Sequence, residues 1–319
     1  MHKAVAYFIT GGAGFIGSHL VDRLTNMGSV TVYDNLTSGK KEFIKHHLNK
    51  SNFQFIQADL LESDTLERAM KDHDVVFHMA ANPDVRAGIE DTDLDLKQGT
   101  IVTYNVLEAM RLNKISKIVF ASSSTVYGET PIKPTPEDYG PLQPISLYGA
   151  SKLASEGLIT AFCHLFNMQA WVFRFANIVG GRATHGVILD FINKLKQNPN
   201  ELEILGDGSQ EKPYIHVGDC VDGILYGFQK SGGKVNIFNL GTSLSTNVNT
   251  IAQILVENIG LANVRFKHTG GNRGWPGDVP RVRFDTSLMK NLGWEPRYTS
   301  DEAIHRAMRD ILGKSSERI

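Results

Sequence analysis

The chain has 319 residues, enough for about two domains and a large core. Lys and Arg (33) nearly balance Asp and Glu (34), leaving a formal charge of −1, which argues against a nucleic-acid binder. Hydrophobic residues at 41% and charged residues at 21% exclude disordered and collagen-like classes, and no apolar run approaches the ~20 residues of a membrane span. Strands are predicted over 3–10, 29–34, 52–58, 74–80, 115–123 and 169–176, with helices near 15–27, 64–71, 95–112 and 147–166. This alternation predicts an α/β fold, a doubly wound parallel sheet covered by helices on both faces. Runs such as Val75-Val76-Phe77, apolar without alternation, suit strands buried on both sides. Past residue 176 the elements shorten, and glycine clusters at 180–181, 206–208, 232–233 and 270–277 punctuate them.

Residues 10–17 read TGGAGFIG, between the first strand and the first helix. Gly12, Gly14 and Gly17 satisfy G-x-G-x-x-G, and Gly11 starts a second pattern with a glycine every three residues. A turn without Cβ atoms lets backbone amides approach a pyrophosphate, and the helix N-terminus adds its dipole. Asp34 ends the second strand, where a carboxylate accepts from a ribose hydroxyl pair and repels a 2′-phosphate. Together these features predict an NAD site, with NAD favoured over its phosphorylated form.

Residues 146–152 read SLYGASK and open a helical pattern. Tyr148 and Lys152 are four apart and share a helix face, so the ammonium is expected to lower the phenol pKa toward working pH. That pair is a general acid–base for a substrate hydroxyl. Just upstream, ASSSTVYG puts serine hydroxyls at the carboxyl end of a strand, where open α/β sheets bind ligands.

TGGAGFIG, Asp34, HMAA at 78–81, SSSTVYG and YGASK together resemble the extended short-chain dehydrogenase/reductase family, most closely its UDP-glucose 4-epimerase branch. The resemblance runs along nearly the whole chain. It implies a Rossmann domain over 1–176 and a smaller, mixed α/β nucleotide-sugar domain over 177–319, with 213–241 a candidate to return to the first. It implies catalytic roles for Ser123, Tyr148 and Lys152, although Ser122 and Ser124 leave the serine register open by one. Implied cofactor contacts are Gly11, Gly14, Phe15, Ile16, Gly17, Asp34, Asn35, Ser38, Gly39, Asp59, Leu60, Met79, Ala80, Ala81, Ser122, Tyr148, Lys152 and Phe175. Two departures stand out: Gly99 falls where many relatives place a cofactor-facing Asn, and Pro83 where some carry a Lys.

The same resemblance gives the substrate side. Asn177, in RFANIVGGR, and Lys212, in GDGSQEKPYIHV, are expected at the diphosphate; Lys212 replaces a more usual Arg and loses its fork. In NRGWPGDVPR, Arg273 is a further diphosphate candidate and Asp278 fits the acid that holds the uridine ribose. Val85, Ser123, Ser124, Tyr148 and Val187 complete the substrate set, and Val282, small where a Tyr restricts relatives to hexoses, leaves room for an N-acetyl group. Ser124 and Thr125 follow Ser123 where dehydratases carry Asp-Glu and decarboxylases commonly keep a Glu, so those reactions are disfavoured. The expected activity is NAD-dependent 4-epimerisation of UDP-hexoses through a 4-keto intermediate. The alternatives are a uronate 4-epimerase, a nucleotide-sugar 4-reductase, or a NAD-sensing regulator without catalysis.

No metal site is expected, and His46-His47 are read as solvent-facing within a solvated basic stretch. Cys163 and Cys220 cannot build a disulfide framework, and the opening MHKAVAYFITGG shows no leader pattern; a reducing, cytoplasmic setting is expected. Apolar residues Leu158, Phe162 and Leu165 on the 147–166 helix, with the 95–112 helix, are expected to pair two chains as a homodimer. No nucleic-acid or membrane partner is expected.

Overall fold

A computed structural model describes residues 4–313. The parts of the first strand and of the second domain that were expected at residue 3 and at 314–319 lie outside the described residues. The chain forms two compact units. The first comprises Met1–Val126, Ser146–Arg174 and Leu225–Phe238; the second comprises Tyr127–Ile145, Phe175–Ile224 and Asn239–Ile319.

The first unit is built on β1 (Ala6–Thr10), α1 (Phe15–Leu24), β2 (Ser29–Asp34), β3 (Phe53–Gln57), α2 (Ser63–Met70) and β4 (Val75–His78). It continues with α3 (Val102–Leu112), β5 (Lys117–Ser123), α4 (Leu147–Leu165) and β6 (Gln169–Phe175). A last strand, Val235–Leu240, completes a seven-stranded sheet in which β6, β5, β4, β1, β2 and β3 follow it in that order. The pairs β1–β2, β2–β3, β1–β4 and β4–β5 are parallel. Strand order turns back between β1 and β4, so the carboxyl ends of these strands flank the switch point at which such sheets bind ligands.

Burial explains the sequence pattern. Phe8, Val76 and Phe120 are at most 1% exposed, and on one face of the sheet they pack with Val172 against Val106 of α3 and Ile159 of α4 in one core. At the start of α4, Ser146 Oγ accepts from Gly149 N at 3.0 Å, an N-cap that fixes where the helix begins and hence where Tyr148 sits.

The segment expected as one helix over 95–112 is two pieces, a π-helical turn, Leu96–Ile101, followed by α3. The solvent-facing reading of the histidine pair also needs correction. His46 is open, but His47 is 2% exposed and stacks on Phe53, and burial pulls its pKa below the ordinary value.

The second unit has its own core, in which Phe191, Leu202, Ile251, Ile304 and Met308 meet. Its final helix, Ser300–Leu312, opens with a reciprocal Thr299–Glu302 capping box. Among the described residues no helix is long and apolar enough to cross a membrane.

Candidate active site

The glycine turn after β1 is a close-packed cradle. Gly11 has a φ of +68°, and a Cβ there would lie 2.7 Å from Ala80 N; a Cβ at Gly17 would lie 2.1 Å from Gly11 O. Backbone therefore approaches backbone where a side chain cannot fit, and α1 starts at Gly14 without a side-chain cap. The amides of Phe15, Ile16 and Gly17 thus form an uncapped helix N-terminus, suited to a pyrophosphate.

Asp34 sits at the end of β2, 8% exposed. Its Oδ2 accepts from Ala13 N at 2.9 Å and its Oδ1 from Leu36 N at 2.8 Å. Burial raises its pKa, and the two amides oppose that shift. Each carboxylate oxygen keeps lone-pair capacity, and Gly39 packs so closely that a Cβ would lie 3.0 Å from both. Asn35 Nδ2 donates to Asp59 Oδ2 at 2.9 Å, joining two of the expected adenosine contacts. Met79 N donates to Thr10 O and Ala80 N to Thr10 Oγ1, which aligns the HMAA segment beside the turn. Leu60 is buried, Ser38 is exposed, and Ala81 is half-buried after β4. These residues fit a dinucleotide: a side-chain-free turn, an uncapped helix start and a buried, amide-held carboxylate.

The candidate catalytic residues Ser123, Tyr148 and Lys152 lie within the same unit. Ser123 lies beside Tyr148, near enough for its hydroxyl to favour the phenolate, and Thr125 Oγ1 donates to Ser123 Oγ at 3.0 Å. Ser122 points elsewhere, donating to Glu156 Oε1 at 2.5 Å, so its side chain belongs to a buried pair in which Arg174 Nη2 lies 2.7 Å from Glu156 Oε2. Ser124 is in the short turn Ser124–Tyr127. The Lys152 ammonium is 5.6 Å from the Tyr148 ring centroid and donates to Ala121 O at 2.7 Å.

The electrostatics differ from the expectation. Lys152 was expected to lower the phenol pKa; instead burial raises it, with Asp95 adding to the rise and the Ser123 hydrogen bond opposing it. Desolvation and the Asp95 charge outweigh the effect of Ser123, and Lys152 does not reverse them. Burial also lowers Lys152, to about 8, against Asp95 and Glu156, which favour its charge.

Sequence reasoning missed two acids. Glu156, four residues after Lys152, could have been found by helix spacing. Asp95 had no such signal. It is 2% exposed just before the π-helical turn, its Oδ1 accepts from Asn82 Nδ2 at 3.1 Å, and its Oδ2 is buried without a hydrogen-bond partner. Val85 lies, half-buried, on the loop that follows Asn82.

In the second unit Asn177 sits on a short strand beside Tyr214–His216, in register with Tyr214. Lys212 pairs with Asp278, whose Oδ2 accepts from Gly274 N at 3.1 Å. Arg273 spans Asp278 O and Glu129 Oε1, both at 2.7 Å. Lys212 and Asp278 therefore neutralise one another, and Arg273 is paired with Glu129. Val282 donates its amide to Glu211 O at 3.0 Å, Val187 opens the helix Val187–Gln197, and Phe175 is buried at the end of β6. A cavity of about 310 Å³, lined by Lys133, Arg281, Asn272 and Ser209 among others, adds two cations that the sequence reading did not single out.

Comparison with known proteins decides the family. The profile described as the NAD dependent epimerase/dehydratase family matches residues 7–241. The chain belongs to this family. Within it, the UDP-glucose 4-epimerase of Mycolicibacterium smegmatis is 32% identical, over 96% of this chain and 98% of that one. A crystal structure described as UDP-galactose 4-epimerase is 39% identical with a TM-score of 0.87, covering 97% of this chain and 99% of its own. The UDP-glucuronic acid 4-epimerase of Bacillus cereus, solved with UDP-glucuronic acid and NAD, is 26% identical with a TM-score of 0.88, covering 98% and 100%. The family match, over residues 7–241, spans the glycine turn, Asp34, Ser123, Tyr148 and Lys152.

Proposed function

We propose that the protein is an NAD-dependent 4-epimerase of UDP-hexoses, acting on UDP-glucose and UDP-galactose and on their N-acetylhexosamine counterparts. The observation that carries this reading is that Tyr148 has Ser123 beside it, close enough to favour its phenolate, and Lys152 one helical turn away. Bound NAD supplies a hydride acceptor that also returns the hydride, and its oxidised ring brings positive charge. Gly11, Gly14 and Gly17 with the start of α1 would hold its pyrophosphate, and Asp34 its adenosine ribose.

The protein's own residues move the proton. With the oxidised ring bound, its charge and the Lys152 ammonium would favour the Tyr148 phenolate against burial; the phenolate accepts the proton from the C4 hydroxyl as the C4–H bond breaks, and gives it back when the 4-keto sugar presents its other face. Ser123 Oγ, beside the phenol, orients that hydroxyl. The Lys152 ammonium spends one donor on Ala121 O and keeps others for the nicotinamide ribose. Ser124 and Thr125 offer no carboxylate at the next two positions, which favours simple C4 oxidation over dehydration or decarboxylation. Asn177, Lys212, Arg273 and Asp278 would serve the nucleotide, with the Lys212–Asp278 pair exchanging partners on binding. The exposed apolar stripe on α3 and α4 supports a homodimer.

The test is incubation with UDP-galactose, UDP-GalNAc and UDP-galacturonate without added cofactor, followed by detection of each 4-epimer. Conversion of the first two is expected. Conversion of the uronate alone would instead select the uronate reading, and stoichiometric release of oxidised cofactor a reductase. Tyr148→Phe should lose at least ~100-fold in turnover, the scale of a general acid–base, while keeping bound NAD. Full activity in that variant would overturn the mechanism.

A further inference from the structure

Away from the catalytic group, one histidine pair converges on a single acid. His46 Nε2 and His47 Nε2 each lie 2.7 Å from the same oxygen, Asp22 Oδ1. Asp22 is on α1, and the histidines end the short turn Lys45–His47 that follows β2. Their rings are 4.0 Å apart between centroids, and His47 is backed by Phe53 at 5.5 Å. Among the described residues, the ligand atoms of Asp22, His46 and His47 all lie within 4.8 Å of one another.

We propose that Asp22, His46 and His47 form a binding site for a divalent transition-metal ion. Two imidazoles and one carboxylate are a borderline donor set, suited to Zn²⁺, Co²⁺ or Ni²⁺ and poor for Ca²⁺ or Mg²⁺, which take oxygen ligands. A tetrahedral ion with bonds of about 2.05 Å keeps its ligand atoms ~3.3 Å apart, so the 2.7 Å contacts need to open by only roughly 0.6 Å. Burial is graded in the way an accessible three-ligand site requires: His47 is 3% exposed at the floor, Asp22 27% and His46 46% at the mouth. His47 Nδ1 makes no hydrogen bond, so that ring engages only through Nε2, the atom aimed at Asp22. The mouth leaves room for water as further ligand, which marks the site as an ion-binding clip rather than a closed structural centre.

Its position gives it a consequence. α1 begins at the glycine turn, and the 35–44 segment leading to the histidines holds Asn35 and Gly39 and ties Lys40 N to Ala13 O. An ion bridging Asp22 to His46 and His47 therefore clips both walls of the dinucleotide cradle together.

The experiment uses the full chain, freed of metal by chelation, and does not depend on its activity. Titration with Co²⁺ should give one equivalent bound with a tetrahedral d–d absorption band, and Zn²⁺ should displace it and raise the Tm. Ca²⁺ should do neither. His46→Ala, at the exposed position, and Asp22→Asn should each weaken binding at least ~10-fold, the scale on which even outer-shell changes act. Their circular dichroism should remain that of the parent chain. Absence of the cobalt band, or binding as tight in His46→Ala as in the parent, would overturn the proposal and leave a hydrogen-bonded triad only.

Discussion

Asp95 and Lys152 show what residue-level charge does once burial is known. The Tyr-x-x-x-Lys spacing correctly brought the phenol and ammonium to one helix face, but spacing carries no information on desolvation, and desolvation reversed the sign of the phenol shift. Asp95 was illegible for the same reason: nothing local distinguishes it from Asp91 or Asp93, and only tertiary packing buries it. Its charge favours the protonated form of both Tyr148 and Lys152. Lys152, held near 8, loses its ammonium as pH rises through that value, so kcat/KM should fall on an alkaline limb there. Asp95→Asn removes the negative charge, the ammonium becomes easier to deprotonate, and the limb should move below pH 8 by more than ~0.5 unit. A pH–rate profile checks this, and an unmoved limb would show that the field of Asp95 does not reach the pair. By contrast, Ser123 was legible to within one residue, because three successive serines differ only in where the strand ends and which neighbour each faces.

At the scale of elements, strands were read to within a few residues because burial on both faces leaves uninterrupted apolar runs. The π-helical turn was not read, since one inserted residue in the 95–112 pattern barely disturbs a 3.6-residue period. Yet this turn accounts for Gly99, the departure from the family's Asn. It packs so closely on α4 that a Cβ at Gly99 would lie 2.0 Å from Ser151 Oγ. Gly99→Ala should therefore lower stability by ~1–3 kcal/mol, the cost of overpacking, despite alanine's better helix propensity. Ser151→Ala removes the clashing oxygen and should recover part of the loss. Denaturant unfolding of the two single variants and the double variant measures the coupling, which should be nonzero and favourable. Additive effects would mean that the turn yields elsewhere. A second test concerns the anchor of α4 on β6. The Glu156–Arg174 pair is 6% and 3% exposed, so Glu156→Ala removes the carboxylate that pairs a buried guanidinium and should cost ~3–5 kcal/mol in the same assay.

For the whole molecule, the apolar helix face anticipated from sequence divides into two. Phe162 belongs to the core at 9% exposed, Leu158 is half-buried, and Leu165 is 74% exposed. The difference is geometric: a pattern of apolar residues marks a helix stripe, but whether its flank meets its own sheet or another chain depends on the neighbouring helix. Here α3 stands beside α4, with Tyr104 edge-on to Phe162 at 6.3 Å. Ile101, Tyr104 and Leu112 on one side, and Leu165 and Phe166 on the other, are exposed, with Phe162 between Tyr104 and Phe166 and Arg111 over the Phe166 ring. Patches of this kind are rarely left uncovered, and in the proposed homodimer a second copy would cover this one by two-fold symmetry with the same residues on both sides. Leu165→Glu would then place two carboxylates in an apolar contact, each losing hydration without a partner. We expect the parent chain to sediment as a dimer and Leu165→Glu as a monomer at the same concentration. The dimer constant should weaken at least ~100-fold, about 2.8 kcal/mol. Because Leu165 is exposed within its own chain, the variant should keep the circular dichroism and NAD binding of the parent. A parent chain that sediments as a monomer would refute the dimer, as would a Leu165→Glu variant that stays dimeric.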